Sequence, residues 1–196
     1  MVSVLFITLV TTILLTPGPT NTLLASSGVQ VGIRRSLALI PAEALGYVLA
    51  ISIWGLLIGR LSAVAAWLPS LLKLLSAAYM VYLSCRLWRS AQQSSQGLQQ
   101  AAVSPPILLL TTLLNPKALL FASAVFPVGV WQHASMWFAH MSVFLALILP
   151  IALLWMTVGA LLIKRPTAWL NQVTLQRTAS VVLFGFSIPL SLSVIS

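Results

Sequence analysis

The stretch Leu14-Leu15-Thr16-Pro17-Gly18-Pro19-Thr20-Asn21 interrupts an otherwise apolar run near the start of the chain. Two prolines and a glycine within three positions remove backbone N–H donors and loosen the chain, so a regular α-helix cannot pass through them. A second interruption, Leu114-Asn115-Pro116-Lys117, lies about half the chain later, again inside an apolar run. Paired breaks in the two halves of a membrane protein are typical of transporters, and they indicate where the solute binds.

The composition indicates an integral membrane protein. Of the 196 residues, 60% are hydrophobic and 6% are charged, whereas a soluble domain carries roughly 25% charged residues. The formal net charge of +9 comes from basic residues scattered through apolar sequence. We therefore expect these residues to anchor the chain in a lipid bilayer, and we expect no nucleic-acid partner. The single cysteine, Cys85, excludes an internal disulfide bond.

The apolar runs predict an all-α protein with about six transmembrane helices, since one crossing needs about 20 apolar residues. The first run has no positive charge before Arg34, so we interpret it as a transmembrane helix and not as a signal peptide. A short polar turn should follow it, from Ser26 to Arg35. The predicted spans lie at about 2–25, 37–59, 70–88, 105–128, 136–162 and 178–195 of a single transporter domain, 1–196.

The two halves of the chain are predicted to be inverted repeats. A Gln/Ser-rich connector, 90–104, separates half-repeats at about 1–90 and 104–196. Three spans per half is an odd number, so the halves must cross the membrane in opposite directions, with the breaks in spans 1 and 4 as counterparts. A weaker sequence similarity between the halves agrees with this interpretation. The third span of each half begins with a basic residue followed three positions later by a serine, Lys73-x-x-Ser76 and Arg177-x-x-Ser180.

The basic residues predict the orientation of the spans. Cytoplasmic loops of membrane proteins carry an excess of Lys and Arg. Only Arg60 and Lys73 fall on one predicted face, which should be the outer one. The loops on the opposite face hold Arg34, Arg35, Arg86, Arg89, Lys164, Arg165 and Arg177. We therefore expect a multi-pass membrane protein with both termini outside and the loops rich in basic residues in the cytoplasm.

Glu43 is the only acidic residue of the chain and lies inside the second span. An intramembrane acid is costly, so it is a functional candidate by default. It is predicted either to bind the ammonium of a solute, to carry coupling protons, or to do both. The alternative is that it pairs with Arg34 or Arg35 near the cytoplasmic end of the span.

Lys117 follows the second break near the middle of its span, too deep for an ordinary membrane anchor. It is predicted to bind a solute carboxylate, helped by the positive end of the half-helix that follows the break. The alternative is a structural tie to backbone carbonyls freed at Pro116. Asn21 and Asn115 flank the two breaks and can both donate and accept hydrogen bonds, so they are candidates for solute binding, for helix capping, or for both.

No residue pattern predicts an enzyme, a metal site or a cofactor. His133 and His140 lie near an outer interface without a Cys or acidic companion, so they do not form a metal-ligand set. Phosphate-binding glycine loops and Ser/His/Asp sets are likewise not visible. Three tyrosines in the predicted spans are candidates either for lining a pathway or for packing, namely Tyr47, Tyr79 and Tyr82.

The motifs, taken together, resemble those of the LysE/RhtB family of amino-acid exporters. The first break resembles the family's Pro-Gly-Pro-x-Asn signature. Three further matches follow in the same order as in the family: Gly32-Ile33-Arg34-Arg35, Ala77-Ala78-Tyr79-Met80-Val81-Tyr82-Leu83 with Lys73 before it, and Leu114-Asn115-Pro116-Lys117-Ala118. The resemblance covers nearly the whole chain.

This resemblance implies proton-driven efflux of amino acids or close derivatives across the cytoplasmic (inner) membrane of a bacterium. The signature positions carry over as solute-binding candidates, namely Pro17, Gly18, Pro19, Asn21, Asn115, Pro116 and Lys117. Glu43 is not part of the signature, so its predicted roles in binding and proton coupling rest on its chemistry alone. The family also contains exporters of other small solutes, so the resemblance indicates the class of protein better than its cargo.

The sequence thus predicts a secondary transporter whose partners are a small amino acid, protons and the lipid bilayer. A chain of 21 kDa is small for a transporter, so a homodimer is also considered. Two alternatives from other classes are an intramembrane enzyme and a non-transporting membrane assembly subunit. The first needs a nucleophile and a base in contact, and the second gives no reason for two helix breaks within the membrane.

Overall fold

In the computed structural model, most of the residues that the structure describes are helical. The described residues are 2–61 and 103–164, together with single residues and short pairs between 67 and 89 and between 174 and 191. Two helices in this part are long and apolar enough to cross a membrane, Leu39–Arg60 and Ala134–Leu161. Two bent helix pairs raise the number of candidate spans to four. The described part is therefore an all-helical membrane protein.

The first break divides one candidate span into α1 (Val4–Leu15) and α2 (Pro19–Ser36). The Ser3 side chain caps α1 by accepting a hydrogen bond from the Phe6 amide at 3.1 Å. Pro19 occupies the first position of α2, where its missing N–H costs nothing. The axes of the two helices differ by 56°, so the chain changes direction where the sequence predicts the break.

The predicted polar turn after the first span is wrong. Residues 26–36 continue α2, and the only non-helical backbone within it is at Gly32, with φ 77° and ψ 166°. This left-handed region is open to glycine and strained for other residues, so Gly32 kinks the helix before Arg34 and Arg35 without ending it. The next helix, α3 (Leu39–Leu61), begins only two residues after α2 ends.

The second break separates α4 (Pro105–Leu113) from α5 (Pro116–Leu120), and the two parts are bent by 43°. One turn of π-helix, Phe121–Val125, continues α5. A turn of 3-10 helix, Val128–Trp131, then leads into the long helix α6, Ala134–Lys164, which corresponds to the predicted fifth span.

Glycines allow the helices to pack closely. An added Cβ at Gly28 of α2 would lie 2.1 Å from the Met156 carbonyl oxygen, and one at Gly159 of α6 would lie 1.9 Å from the Ala25 carbonyl oxygen. The backbones of α2 and α6 therefore touch on both sides of the crossing. Gly46 of α3 packs in the same way against α4. Close contact through small residues is the usual way for helices to associate in lipid, where apolar burial gives no net attraction.

The described residues of the third and sixth predicted spans touch one another. The Ser84 hydroxyl lies 2.8 Å from the Ser180 carbonyl oxygen, and the Ser180 hydroxyl lies 2.8 Å from the Ser84 carbonyl oxygen. Arg177 stands over the ring of Trp88 at 5.3 Å from its centroid. Position 88 follows 84 whereas 177 precedes 180, so the two segments run antiparallel. Lys73, Ser76, Tyr79, Arg86 and nearly all of the 90–104 connector lie outside the described residues.

Candidate functional site

The two helix breaks meet in the interior of the protein. The Asn115 side chain, at the second break, donates hydrogen bonds to the Thr20 hydroxyl at 2.7 Å and to the Tyr47 hydroxyl at 3.1 Å. Its carbonyl oxygen also accepts from the Lys117 amide at 3.0 Å, which caps α5. Asn115 therefore connects both breaks and α3, and the predicted capping role is confirmed.

Asn21 satisfies the carbonyls that the first break leaves free. Its side-chain amide donates to the Leu14 carbonyl at 2.7 Å and to the Thr16 carbonyl at 2.8 Å. Asn21 thus closes the C-terminal end of α1 from a position on α2. Buried carbonyls without a partner are costly in a membrane, so this side chain holds the broken span together.

Lys117 crosses from the second break to the first. Its ammonium donates a hydrogen bond to the Thr16 carbonyl oxygen, and the side chain is 3% exposed. An added Cβ at Gly18 would lie 3.1 Å from Cε and 3.2 Å from Nζ of this lysine. Gly18 therefore leaves the space that the ammonium fills. The sequence-based alternative named the wrong carbonyl: the tie is to Thr16, freed at Pro17, and not to a group freed at Pro116.

Glu43 lies in the first turns of α3, 2% exposed, and interacts electrostatically with Lys117. Its Oε2 atom is buried and has no hydrogen-bond partner among the residues that the structure describes. Arg34 and Arg35 are exposed. The predicted pairing of Glu43 with these arginines is therefore not observed, and its cationic neighbour comes from the other half of the chain.

The structure brings these polar groups into one buried set, which we call the polar cluster. It contains one acid, one base, two amides and two hydroxyls, each no more than 3% exposed: Thr20, Asn21, Glu43, Tyr47, Asn115 and Lys117. Gly18, Pro17 and Pro19 form the first break beside it, and Pro116 opens α5. The sequence-predicted candidates are thus gathered in one place, and all of them except Pro19 are buried.

Sequence reasoning missed Thr20 and gave Tyr47 only as an ambiguous pathway residue. Both accept hydrogen bonds from Asn115. Tyr47 lies one helical turn after Glu43 and so shares its face, a spacing visible in the sequence. Thr20 stands beside Asn21 at the first break, yet nothing in the sequence indicates that Asn115 reaches across to it.

The other candidate residues lie elsewhere. His140 is buried on α6, with Nδ1 2.8 Å from the Met136 carbonyl oxygen and its ring packed on Phe6. His133 precedes α6 and lines an open cleft. Within the described ranges, no group of three His, Cys, Asp or Glu side chains is placed to bind a metal ion. Cys85 is exposed.

Comparisons with known proteins agree with the geometry. The sequence model of a family described as LysE type translocator matches residues 11–193. A Vibrio cholerae protein described as an uncharacterized membrane protein is 36% identical over 118 residues. That match covers 58% of this chain and 57% of the Vibrio protein, so the chain aligns with a little over half of its relative. No solved structure matches.

Proposed function

The chain belongs to the LysE type translocator family, and from this premise we propose that it exports small amino acids or close derivatives across a bacterial cytoplasmic membrane. Family membership supports transport of amino acids or related solutes. The direction, the cargo and the coupling to protons are part of the proposal.

The polar cluster carries this proposal. A buried lysine and a buried glutamate are expensive in a membrane interior and mark solute or ion pathways by default. Here Lys117 stands at the second break and reaches a backbone carbonyl of the first break, and Glu43 interacts electrostatically with it from α3. An amino acid carries one ammonium and one carboxylate, so its two charges match the two charges of the cluster.

Lys117 and the first break are proposed to exchange partners when the solute binds. Without solute, the Lys117 ammonium occupies the Thr16 carbonyl. The solute carboxylate would draw Lys117 away, and the solute ammonium would take its place near the Thr16 carbonyl and Glu43. Every charge keeps a partner during this exchange, which avoids the large cost of an unpaired charge in a low-dielectric site.

Glu43 is proposed to couple this exchange to protons. Its unpartnered Oε2 is free to accept either the solute ammonium or a proton. Protonation removes the negative charge and weakens ammonium binding, so a proton entering the site would favour release of the solute. No other carboxylate side chain exists in the sequence to perform this step.

The proposed architecture is six spans in two inverted repeats, with both termini outside. Each long helix packs against the broken span of the other half: α6 lies along α2, and α3 lies along α4. The reciprocal Ser84–Ser180 contact supports an antiparallel arrangement of the third and sixth spans. A homodimer remains part of the proposal.

Efflux from preloaded cells or proteoliposomes tests this function. A panel of common amino acids is loaded, and the medium is analysed by mass spectrometry. We expect one or a few amino acids to leave faster with the protein than without it, and an imposed inward proton gradient to accelerate their exit. A panel without any accelerated solute would favour export of another small solute, a non-transporting assembly subunit or an intramembrane enzyme.

Glu43→Gln tests the coupling step, with Glu43→Asp as its matched control. We expect the glutamine variant to lose the acceleration by the proton gradient, because a side-chain amide, unlike a carboxylate, does not take up a proton in this reaction. We expect the aspartate variant, which keeps a carboxylate, to retain part of the acceleration. A glutamine variant with the wild-type rate and pH dependence would contradict proton coupling through this residue.

A further inference from the structure

An open cleft lies between the end of α3 and the start of α6, away from the polar cluster. Its volume is about 360 Å³, in the range of small-molecule sites. The lining includes Ser52, Leu56, Trp131, Gln132, His133 and Trp137. The Trp137 indole N–H donates a hydrogen bond to the Ser52 hydroxyl at 3.1 Å, and this bond joins α6 to α3 beside the cleft.

The cleft and the polar cluster lie at different depths along the same helix. Glu43 is near the start of α3, and Leu56 is 13 residues further along it, which corresponds to about 20 Å of helix. Arg34 and Arg35 precede α3, so the cleft opens toward the side opposite to this arginine pair.

Aromatic rings fill the space between the cleft and the cluster. Trp131 stacks on Phe126 with centroids 5.7 Å apart, and Phe126 contacts Phe144 at 5.9 Å. Phe144 in turn packs edge-on against Tyr47 of the polar cluster at 5.6 Å. Phe121 joins the set through Phe144 at 4.9 Å. These contacting rings, which we call the layer, therefore run from the cleft to the polar cluster.

The layer is attached to the second break. Phe121 and Phe126 bound the π-helical turn that follows Lys117 in the chain, and the Phe126 amide donates to the Phe121 carbonyl at 2.8 Å. Turns of π-helix often occur at functional sites. A movement of α5 that releases Lys117 from Thr16 would therefore also move two of the phenylalanines.

We propose that this cleft is the release site of the transport path, where the solute ammonium rests against Trp131 and Trp137, and that Phe121, Phe126 and Phe144 form the barrier closing it from the polar cluster. The inference rests on the proposed function, because it assigns the cleft to the same solute. Lys, Arg, Asp and Glu do not occur in the described lining, so cation–π contacts with the indoles replace an ion pair. Weak binding of this kind suits a site from which the solute must leave.

Thiol labelling in sealed vesicles tests the barrier without any solute. In a Cys85→Ser background, Gln132→Cys reports on the cleft and Thr20→Cys on the polar cluster. We expect a membrane-impermeant methanethiosulfonate reagent on the outer side to label position 132 rapidly and position 20 slowly. Adding Phe126→Ala should accelerate labelling of position 20 by about tenfold or more, because the buried ring is removed.

Phe138→Ala is the matched control, since this phenylalanine lies on α6 with 63% exposure and takes no part in the barrier. It should leave the labelling of position 20 unchanged. Labelling of position 132 from the inner side alone would overturn the assignment of the cleft, and equal effects of the two alanine variants would overturn the barrier. Phe126→Leu repeats the test if Phe126→Ala does not fold.

The charge of the reagent tests the ammonium site. The ratio of labelling rates for trimethylammonium and sulfonate reagents is measured at Gln132→Cys and at Val128→Cys, an exposed neighbour outside the lining. We expect a higher ratio at position 132, reduced several-fold by Trp137→Leu. Equal ratios at the two positions would overturn cation binding. The labelling rates are measured without any efflux assay. A wrong assignment of the cleft would therefore appear in the labelling rates, whereas a wrong transport function would appear in the efflux panel.

Discussion

Lys117 has a structural role in the protein, and its proposed role in binding the solute stays a prediction. It is a structural tie, because its ammonium closes the Thr16 carbonyl of the first break. It is also a buried charge near a glutamate, which gives it the chemistry to bind a carboxylate. The two roles succeed one another if the tie opens when solute binds, so they need not exclude each other.

Gly18→Ala tests the space that the lysine occupies. The new methyl group would stand 3.1–3.2 Å from Cε and Nζ of Lys117, so the ammonium must shift away from the Thr16 carbonyl. We expect efflux to fall by about tenfold, the effect of losing roughly 1.4 kcal/mol from one charge-assisted hydrogen bond. Initial efflux rates at matched expression measure it.

Gly185→Ala serves as the control for this variant, because an added Cβ there meets nothing within 4 Å. It should export at the wild-type rate. If Gly18→Ala also exports at that rate, transport does not depend on the close contact between Lys117 and the first break.

At the scale of the helices, the backbone contact between α2 and α6 holds the two halves together. Gly28 and Gly159 form the two sides of one crossing, each against a carbonyl of the opposite helix. In lipid such a contact depends on close approach, and a single methyl group is enough to prevent it.

Gly28→Ala is therefore expected to separate α2 from α6. The new Cβ would lie 2.1 Å from the Met156 carbonyl oxygen, a distance that only movement of a helix relieves. We expect destabilisation by about 1–3 kcal/mol, typical of overpacking, seen as a lower thermal unfolding midpoint in detergent. Gly28→Ala with Gly159→Ala should cost less than the sum of the two single variants, because one displacement relieves both clashes. Additive effects would argue against a shared crossing.

The sequence predicted the breaks but not how far the first broken span extends. Proline and glycine act locally, so Pro17-Gly18-Pro19 and Pro116 could be placed without knowing the fold. The polar residues from Ser26 to Arg35 suggested a turn, yet they form helix because α2 packs along α6. This tertiary contact favours helix in a segment whose composition favours a turn.

At the scale of the whole molecule, the site arises from contacts between the two halves. Asn115 and Lys117 come from the second half, whereas Thr16, Thr20 and Glu43 come from the first. The sequence named most of these residues as candidates. The Asn115–Thr20 and Lys117–Thr16 bonds could not be predicted, because they join positions about 95 to 101 residues apart.

Ser84→Cys with Ser180→Cys tests the antiparallel contact that supports the inverted repeats. The two hydroxyl oxygens lie 2.9 Å apart. In a Cys85→Ser background we expect mild oxidation to form a disulfide within one chain, detected as a mobility shift that reduction reverses. Leu75→Cys with Ser180→Cys is the control and should not cross-link, since Leu75 precedes Ser84 by nine positions in the predicted third span. Equal cross-linking of both pairs would contradict the proposed register.

The proposed transport step is that the solute carboxylate takes Lys117 from the Thr16 carbonyl. The most direct measurement compares efflux from proteoliposomes of an exported amino acid with efflux of its amide, in which a neutral carboxamide replaces the carboxylate. Both compounds are measured with the wild type and with Lys117→Ala, reconstituted at equal amounts. We predict that the wild type exports the amino acid at least about tenfold faster than the amide, since a charged group is matched only in the first case, and that Lys117→Ala loses this preference. An alanine variant that keeps both the rate and the preference of the wild type would contradict the claim.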